Sequence, residues 1–305
     1  MTLTDASDHR LIGWNGLTIR LPKSWECIVS GPCHLLVELN FQPVFELRWE
    51  KKGSRTAADL LSTVLQGLTR QTENPVCRVS PPEEFKTLAL KTGAAALSWE
   101  TGKRLTGLLW QCATCNSAIF CHLHHHPDVQ SVQMALVLES LGCHSQQNAP
   151  AFWSIQDFQL VLPPTVSLDS YTLAPGLSRL TFHHEHLVLH YLRLAPASER
   201  LKSTSLPQLL KTLHTELAPG EILTDSFDMF ECRNCPSQSQ QILSRLRRQK
   251  PFYWGRIWHY EKQNRLLALT AESLRPIDLD TVHSLCTDYE IIPFPFTAGT
   301  VSQQS

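Results

Sequence analysis

The chain has 305 residues, 42% of them hydrophobic and 18% charged, with a formal net charge of −1. That length buries a sizeable core and suits two domains, and the balanced charge argues against nucleic acid or a membrane surface as an obligatory partner. No apolar run approaches the ~20 residues that cross a bilayer, and the opening MTLTDASDHR lacks the basic and apolar regions of a secretory signal, so a cytoplasmic protein is expected.

In chain order, residues 14–22 (WNGLTIRLP) read as an alternating strand closed by proline, and residues 34–50 as two strands turning near residues 40–43. An amphipathic helix is predicted over residues 56–68, where Ala57, Leu60, Leu61, Val64, Leu65 and Leu68 recur at helical spacing. Strands follow at residues 85–90 and 94–100, then the hairpin of residues 107–126, GLLWQCATCNSAIFCHLHHH. A second helix is predicted over residues 128–141, with Met134, Val137, Leu138 and Leu141 on one face.

The order then begins again. FQLVLP at residues 158–163 matches LTIRLP at residues 17–22. Leu206, Leu209, Leu210, Leu213 and Leu217 repeat the stripe of the first helix. Gly255 and Trp258 align with Gly107 and Trp110 without a gap, Asn264 then falls on Asn116, and Val282, Leu285, Cys286 and Tyr289 fall on Met134, Val137, Leu138 and Leu141. The pattern predicts a tandem duplication, with units at residues 11–145 and 151–293 and flexible termini at 1–10 and 294–305. Long helices beside hairpin-connected strands predict the α+β class, each unit an antiparallel sheet packed against helices.

On the opening LTIRLPKSW and this element order, each unit resembles the Mog/PsbP-like family, whose domains place an antiparallel sheet between helices. The resemblance implies that fold and a binding role. It carries over no functional residue, and its members act in unrelated settings, so fold alone does not fix function.

The chemistry lies in the cysteines, of which there are ten. In a chain without an export signal, C-x-x-C pairs point to metal or redox chemistry. One pair, Cys112 and Cys115, forms the hairpin turn; the other is Cys232 and Cys235. The second unit has Tyr260 and Gln263 at the positions of Cys112 and Cys115, so the hairpin does not need its cysteines. Four thiolates make a closed tetrahedral zinc site, and a structural zinc shared by Cys112, Cys115, Cys232 and Cys235 is the expectation. Cys27, Cys33, Cys77, Cys143 and Cys286 read as buried apolar side chains. A rival site completes the first pair locally with Cys121 or with His122, His124, His125 or His126. In a strand His122, His124 and His126 share one face, although an exposed strand end accounts for them as well. A redox disulfide is disfavoured, because neither pair sits at a helix N-terminus.

Residues 182–190 hold four histidines without the spacing of a zinc hydrolase and read as a solvated hairpin turn. Residues 237–241 read as a polar loop. No phosphate-binding loop, dinucleotide fingerprint or nucleophile elbow is present. The expectation is a non-enzymatic protein with a structural zinc that binds another protein. The alternatives are a metal- or redox-handling protein using the C-x-x-C pairs and the histidine cluster, and an enzyme with its site in the cleft between the repeats.

Overall fold

A computed structural model describes residues 8–50, 76–100, 104–143, 150–213, 220–234, 236–247 and 249–292, with scattered positions between 59 and 67. The chain divides into two compact units, Met1–Gln156 and Asp157–Ser305. No described helix is long and apolar enough to cross a membrane.

In the first unit the strands are β1 (His9–Trp14), β2 (Leu17–Pro22), β3 (Glu26–Gly31), β4 (His34–Leu39), β5 (Gln42–Glu50), β6 (Cys77–Val79), β7 (Ala95–Glu100), β8 (Arg104–Gln111), β9 (Ala118–Leu123) and β10 (Ala151–Ile155). In the second they are β11 (Phe158–Leu162), β12 (Ser167–Ala174), β13 (Leu177–His184), β14 (Leu187–Leu194), β15 (Glu221–Asp225), β16 (Met229–Arg233), β17 (Phe252–Tyr260), β18 (Arg265–Ser273) and β19 (Glu290–Ile291).

The α+β expectation fails here. Among the described residues strand accounts for 49% and helix for 23%, and their nineteen strands form three antiparallel sheets. The six described α-helices have only five to nine residues, too short for the helical layers of a Mog/PsbP-like unit. The physical reason is local. Helical stripes such as Leu206, Leu209 and Leu210 are real and buried, but the described part of each helix is about two turns. Among the described residues strand outweighs helix about two to one.

Each unit holds a seven-stranded sheet with one shared plan. The order is β3-β4-β5-β9-β8-β7-β6 in the first and β12-β13-β14-β18-β17-β16-β15 in the second. A three-strand meander meets a four-strand meander through one antiparallel seam, β5 with β9 and β14 with β18. Sharp turns set the registers. Asn15 (φ 46°) and Gly16 (φ 86°) form the two-residue left-handed turn that matches strand twist. Residues 14–22, expected as one strand, therefore contain the end of β1, a turn and β2. β10 belongs to the first unit because Ser154 pairs with Gly13 of β1.

The core of the first unit is built from alternate residues of these strands, among them Trp14, Ile19, Leu35, Phe45, Leu47, Leu108 and Ile119. The helix Ser131–Glu139 adds Met134, Ala135, Val137 and Leu138. In the second unit Leu206, Leu209 and Leu210 pack with Leu192, Leu194, Ile257, Leu266 and Ala268. Val282, Leu285, Cys286 and Tyr289 are buried as their stripe predicts. Residues 85–90, expected as a strand, instead enter the helix Lys86–Thr92, ended by Gly93 in the left-handed conformation. Residues 237–241, expected as a loop, begin the helix Gln238–Leu246. The helix expected over residues 56–68 lies largely outside the described residues.

Candidate metal centre

The hairpin β8–β9 forms as its alternating apolar residues require, with Leu108 opposite Cys121 and Trp110 opposite Ile119. Its turn is closed by two backbone hydrogen bonds, Cys112 N–H to Ser117 O (2.8 Å) and Asn116 N–H to Cys112 O (2.9 Å). Asn116 sits at φ 58°, the left-handed position that a knuckle usually gives to glycine and that asparagine tolerates. Asn264 holds the same conformation, φ 54°, in the β17–β18 turn. Both hairpins therefore share a backbone device, and only one carries thiols.

That turn brings Cys112 and Cys115 to one point, where a third thiol joins them. The sulfurs of Cys112, Cys115 and Cys143 lie within 4.8 Å of one another, and Cys115 Sγ is 3.7 Å from Cys143 Sγ. Sulfurs bonded to a tetrahedral zinc at 2.3 Å stand about 3.8 Å apart, whereas bonded sulfurs stand at about 2.05 Å. The Cys115–Cys143 spacing matches that of two ligands around one ion, and the third sulfur is near enough to join them. Three thiolates are a soft donor set that suits zinc above calcium or magnesium.

Cys143, expected from sequence to be a buried apolar side chain, is this third ligand candidate. It lies beyond the helix Ser131–Glu139, where Ser140 Oγ accepts from Arg20 N–H (2.9 Å). Gly142 and Thr18 exchange backbone hydrogen bonds of 2.7 and 2.8 Å. These contacts fasten the segment to β2 and deliver Cys143 to the knuckle.

Electrostatics at the turn favour a thiolate. Burial works against ionisation of Cys112, but the N–H groups of Cys115 and Thr114 and the thiols of Cys143 and Cys115 outweigh it, and its pKa falls to about 6. Cys143 is pushed the other way, first by burial and then by its sulfur neighbours. A cavity of about 340 Å³, lined in part by Leu88, Trp110, Leu138, Cys112 and Cys143, borders the cluster.

The other cysteines named by sequence behave differently. Cys232 is buried in the second unit's core with Leu210, Phe230 and Ile257, and burial followed by the charge of Glu231 raises its pKa to about 11. Cys235 lies outside the described residues. Cys121 is fully buried in β9 and its thiol is pushed up by burial first and Glu46 second.

No protein-family model and no curated protein sequence matches the chain. One solved structure, a crystal structure from Bacteroides thetaiotaomicron VPI-5482 at 1.50 Å resolution, is similar over 49% of this chain at 13% identity, with a TM-score of 0.29. The match spans about half of that chain, 51%, and a likeness at that score carries no argument about fold or function.

The histidines separate by role. His126 is buried, its Nε2 3.1 Å from Leu39 O and its Nδ1 accepting from Asp128 N–H (3.1 Å), so it fixes the chain after β9. His125 is exposed. His122 and His124 share a face, as strand periodicity predicts, and meet Glu46 of β5. In the second unit the histidines of residues 182–190 do flank a turn, but His190 is half-buried, 3.1 Å from Thr181 Oγ1 and 3.2 Å from Glu272 Oε1.

One group had no sequence signal at all. Glu231 is 2% exposed, accepts from Trp254 Nε1 at 3.0 Å, and lies 2.7 Å from His283 Nε2 and 3.3 Å from Arg256 Nε. Its partners come from β17 and from the helix Leu279–Cys286, and only the folded sheet assembles them.

Proposed function

We propose that this chain is a non-enzymatic binding protein of two duplicated β-rich units, the first fastened by a structural zinc on Cys112, Cys115 and Cys143. The observation that carries the metal is the convergence of three sulfurs at ligand spacing. A zinc there cross-links the β8–β9 knuckle to the segment after the helix Ser131–Glu139, which is what a structural ion does. This local centre takes the place of the clamp between repeats, because the packing of Cys232 gives that thiol a different job.

The shared strand order of the two large sheets supports duplication. The binding role draws on exposed apolar side chains. Leu90 on the helix Lys86–Thr92 and Val132 and Leu136 on the helix Ser131–Glu139 are exposed, as are Ile242, Leu243 and Leu246 on the helix Gln238–Leu246. Exposed apolar side chains gathered on short surface helices are what a protein partner covers.

Metal analysis of protein purified without chelator tests the reading. One tightly held zinc per chain is expected at this centre, lost in Cys143→Ser and kept in Cys232→Ser. A zinc stoichiometry that Cys143→Ser leaves unchanged would sink the local centre; zinc lost from Cys232→Ser with the fold intact would restore the shared one.

A further inference from the structure

We propose that Glu46, His122 and His124 form a second metal site, chemically unlike the cysteine centre, for a borderline divalent transition metal such as zinc or cobalt. Glu46 on β5 stands directly opposite His122 on β9. His124, two residues on, falls on the same face. The two imidazole centroids are 4.1 Å apart, and one donor atom from each of the three residues lies within 4.8 Å of the others. His124 Nε2 is 3.3 Å from Glu46 Oε1. Nitrogen and oxygen ligands bonded at 2.0–2.1 Å around a tetrahedral ion stand about 3.3–3.4 Å apart.

An ion pair between Glu46 and His124 accounts for only part of this cluster. It leaves His122 Nε2, which is buried and has no hydrogen-bond partner among the described residues. Buried polar atoms are nearly always satisfied, and a metal ion satisfies this one through its lone pair. The rest of the arrangement holds the carboxylate in place. His34 Nε2 lies 3.1 Å from Glu46 Oε2 and Arg48 Nη2 donates to it at 3.2 Å, so Oε1 is the oxygen left toward the histidines. The Trp99 ring lies 5.1 Å from that of His122 and supports it. The side chains of Glu46 and His124 are about one-fifth exposed, which gives an ion a way in and water access to the remaining coordination positions. Arg48 is the opposing charge, and with its side chain 62% exposed solvent screens it.

The second unit supplies an internal control. There His190 pairs with Thr270 in register, so His190 stands where Glu46 does, Thr270 where His122 does, and Glu272 where His124 does. Acid and base have exchanged strands. The second cluster is also closed by its own cation, Lys250, which donates to Glu272 at 3.0 Å. A threonine replaces the unpartnered imidazole. The second unit therefore has a satisfied polar cluster, and the first has two imidazoles and a carboxylate, the donor set of open zinc and iron sites.

Zinc stoichiometry and cobalt(II) absorption on the full chain test this. Two zinc ions are expected in the wild type, and one in His122→Gln and in Glu46→Gln, with binding at the second site weakened at least tenfold. The exposed His125→Gln should keep both. Cobalt at the second site should show ligand-field bands that persist in Cys143→Ser, where the near-ultraviolet thiolate charge transfer is lost. Circular dichroism and size-exclusion elution check that each variant folds, and two ligand variants guard against one failing to do so. A wild type that binds one ion, lost only in Cys143→Ser, overturns the site while the cysteine centre stands. An ion lost in His122→Gln and unaffected by Cys143→Ser supports it even if the cysteine centre fails. Stoichiometry unchanged by both ligand variants overturns it outright.

Discussion

Thr18 and Gly142 clasp each other through paired backbone hydrogen bonds, an isolated antiparallel bridge far from either residue's neighbours in sequence. The clasp places Cys143 one residue from the point where the chain is fixed to β2. It leaves no room for a side chain at position 142, since a Cβ there would come within 2.7 Å of Thr18 Oγ1.

Gly142→Ala should therefore loosen the metal centre without touching a ligand. The Thr18 hydroxyl sits on a short branched side chain that cannot swing away, so the clash costs about 1–3 kcal/mol. Thermal melts should show the loss, and zinc should pass to a competing chelator faster than from the wild type. Thr18→Ala in the same chain removes the obstructing oxygen and should recover most of both effects. If the double variant behaves like Gly142→Ala alone, the clasp does not position Cys143.

The knuckle turn gives a paired test. Asn116 and Asn264 hold the same left-handed backbone, which a β-branched residue adopts at a cost of about 1–3 kcal/mol. Asn116→Val and Asn264→Val should destabilise by similar amounts in denaturant melts of metal-free protein. With zinc present, Asn116→Val should also lower zinc affinity and Asn264→Val should not. Asn116→Gly should keep the metal, because glycine meets the backbone requirement without strain.

How much of this was legible in sequence follows from the range of each contact. Alternation made the β8–β9 hairpin readable, and the C-x-x-C spacing marked its turn. The same-face placement of His122 and His124 needed only the strand period. Cys143 was not readable, because a strand bridge to Thr18 brings it to the knuckle and no local pattern encodes that. Glu46 was hidden in the same way, opposite His122 only through the β5–β9 seam. The fold class failed for a different reason. Stripes such as Leu206, Leu209 and Leu210 signal helix strongly but say little about how much strand lies between the helices, and KTLALKT at Lys86–Thr92 alternates like a strand while forming a helix.

Ligand and packing cysteines should separate on substitution. Cys121 and Cys232 are buried among apolar neighbours, so Cys121→Ser and Cys232→Ser each bury a hydroxyl without a prepared partner, at a cost of about 1–3 kcal/mol. Neither should change the zinc held by the knuckle. Cys115→Ser should do the reverse, with a small effect on metal-free stability and a large one on zinc content. Equal zinc loss from Cys121→Ser would move that thiol from the core into the centre.

Asp157 gives the second unit an acid-sensitive anchor. Its Oδ2 accepts from Arg193 Nη2 at 2.5 Å and from Arg265 Nε at 2.6 Å, and the Asp157 and Arg193 side chains are each 10% exposed. Burial by itself raises the carboxyl pKa, but the hydrogen bonds and charges of the two guanidinium groups outweigh it and hold the group below its ordinary value. A carboxylate depressed in the folded state stabilises the protein fully above its unfolded pKa, near 3.9. That contribution is lost as pH falls through the folded value, because the unfolded chain takes up the proton first. Asp157→Asn leaves the buried Arg193 and the part-buried Arg265 without their counter-charge and should cost about 3 kcal/mol at neutral pH. Urea midpoints for the wild type and Asp157→Asn should stay separated from pH 7 to about pH 4 and converge below it. A separation that persists unchanged at pH 2 would mean that the charge of Asp157 is not what holds Arg193 and Arg265.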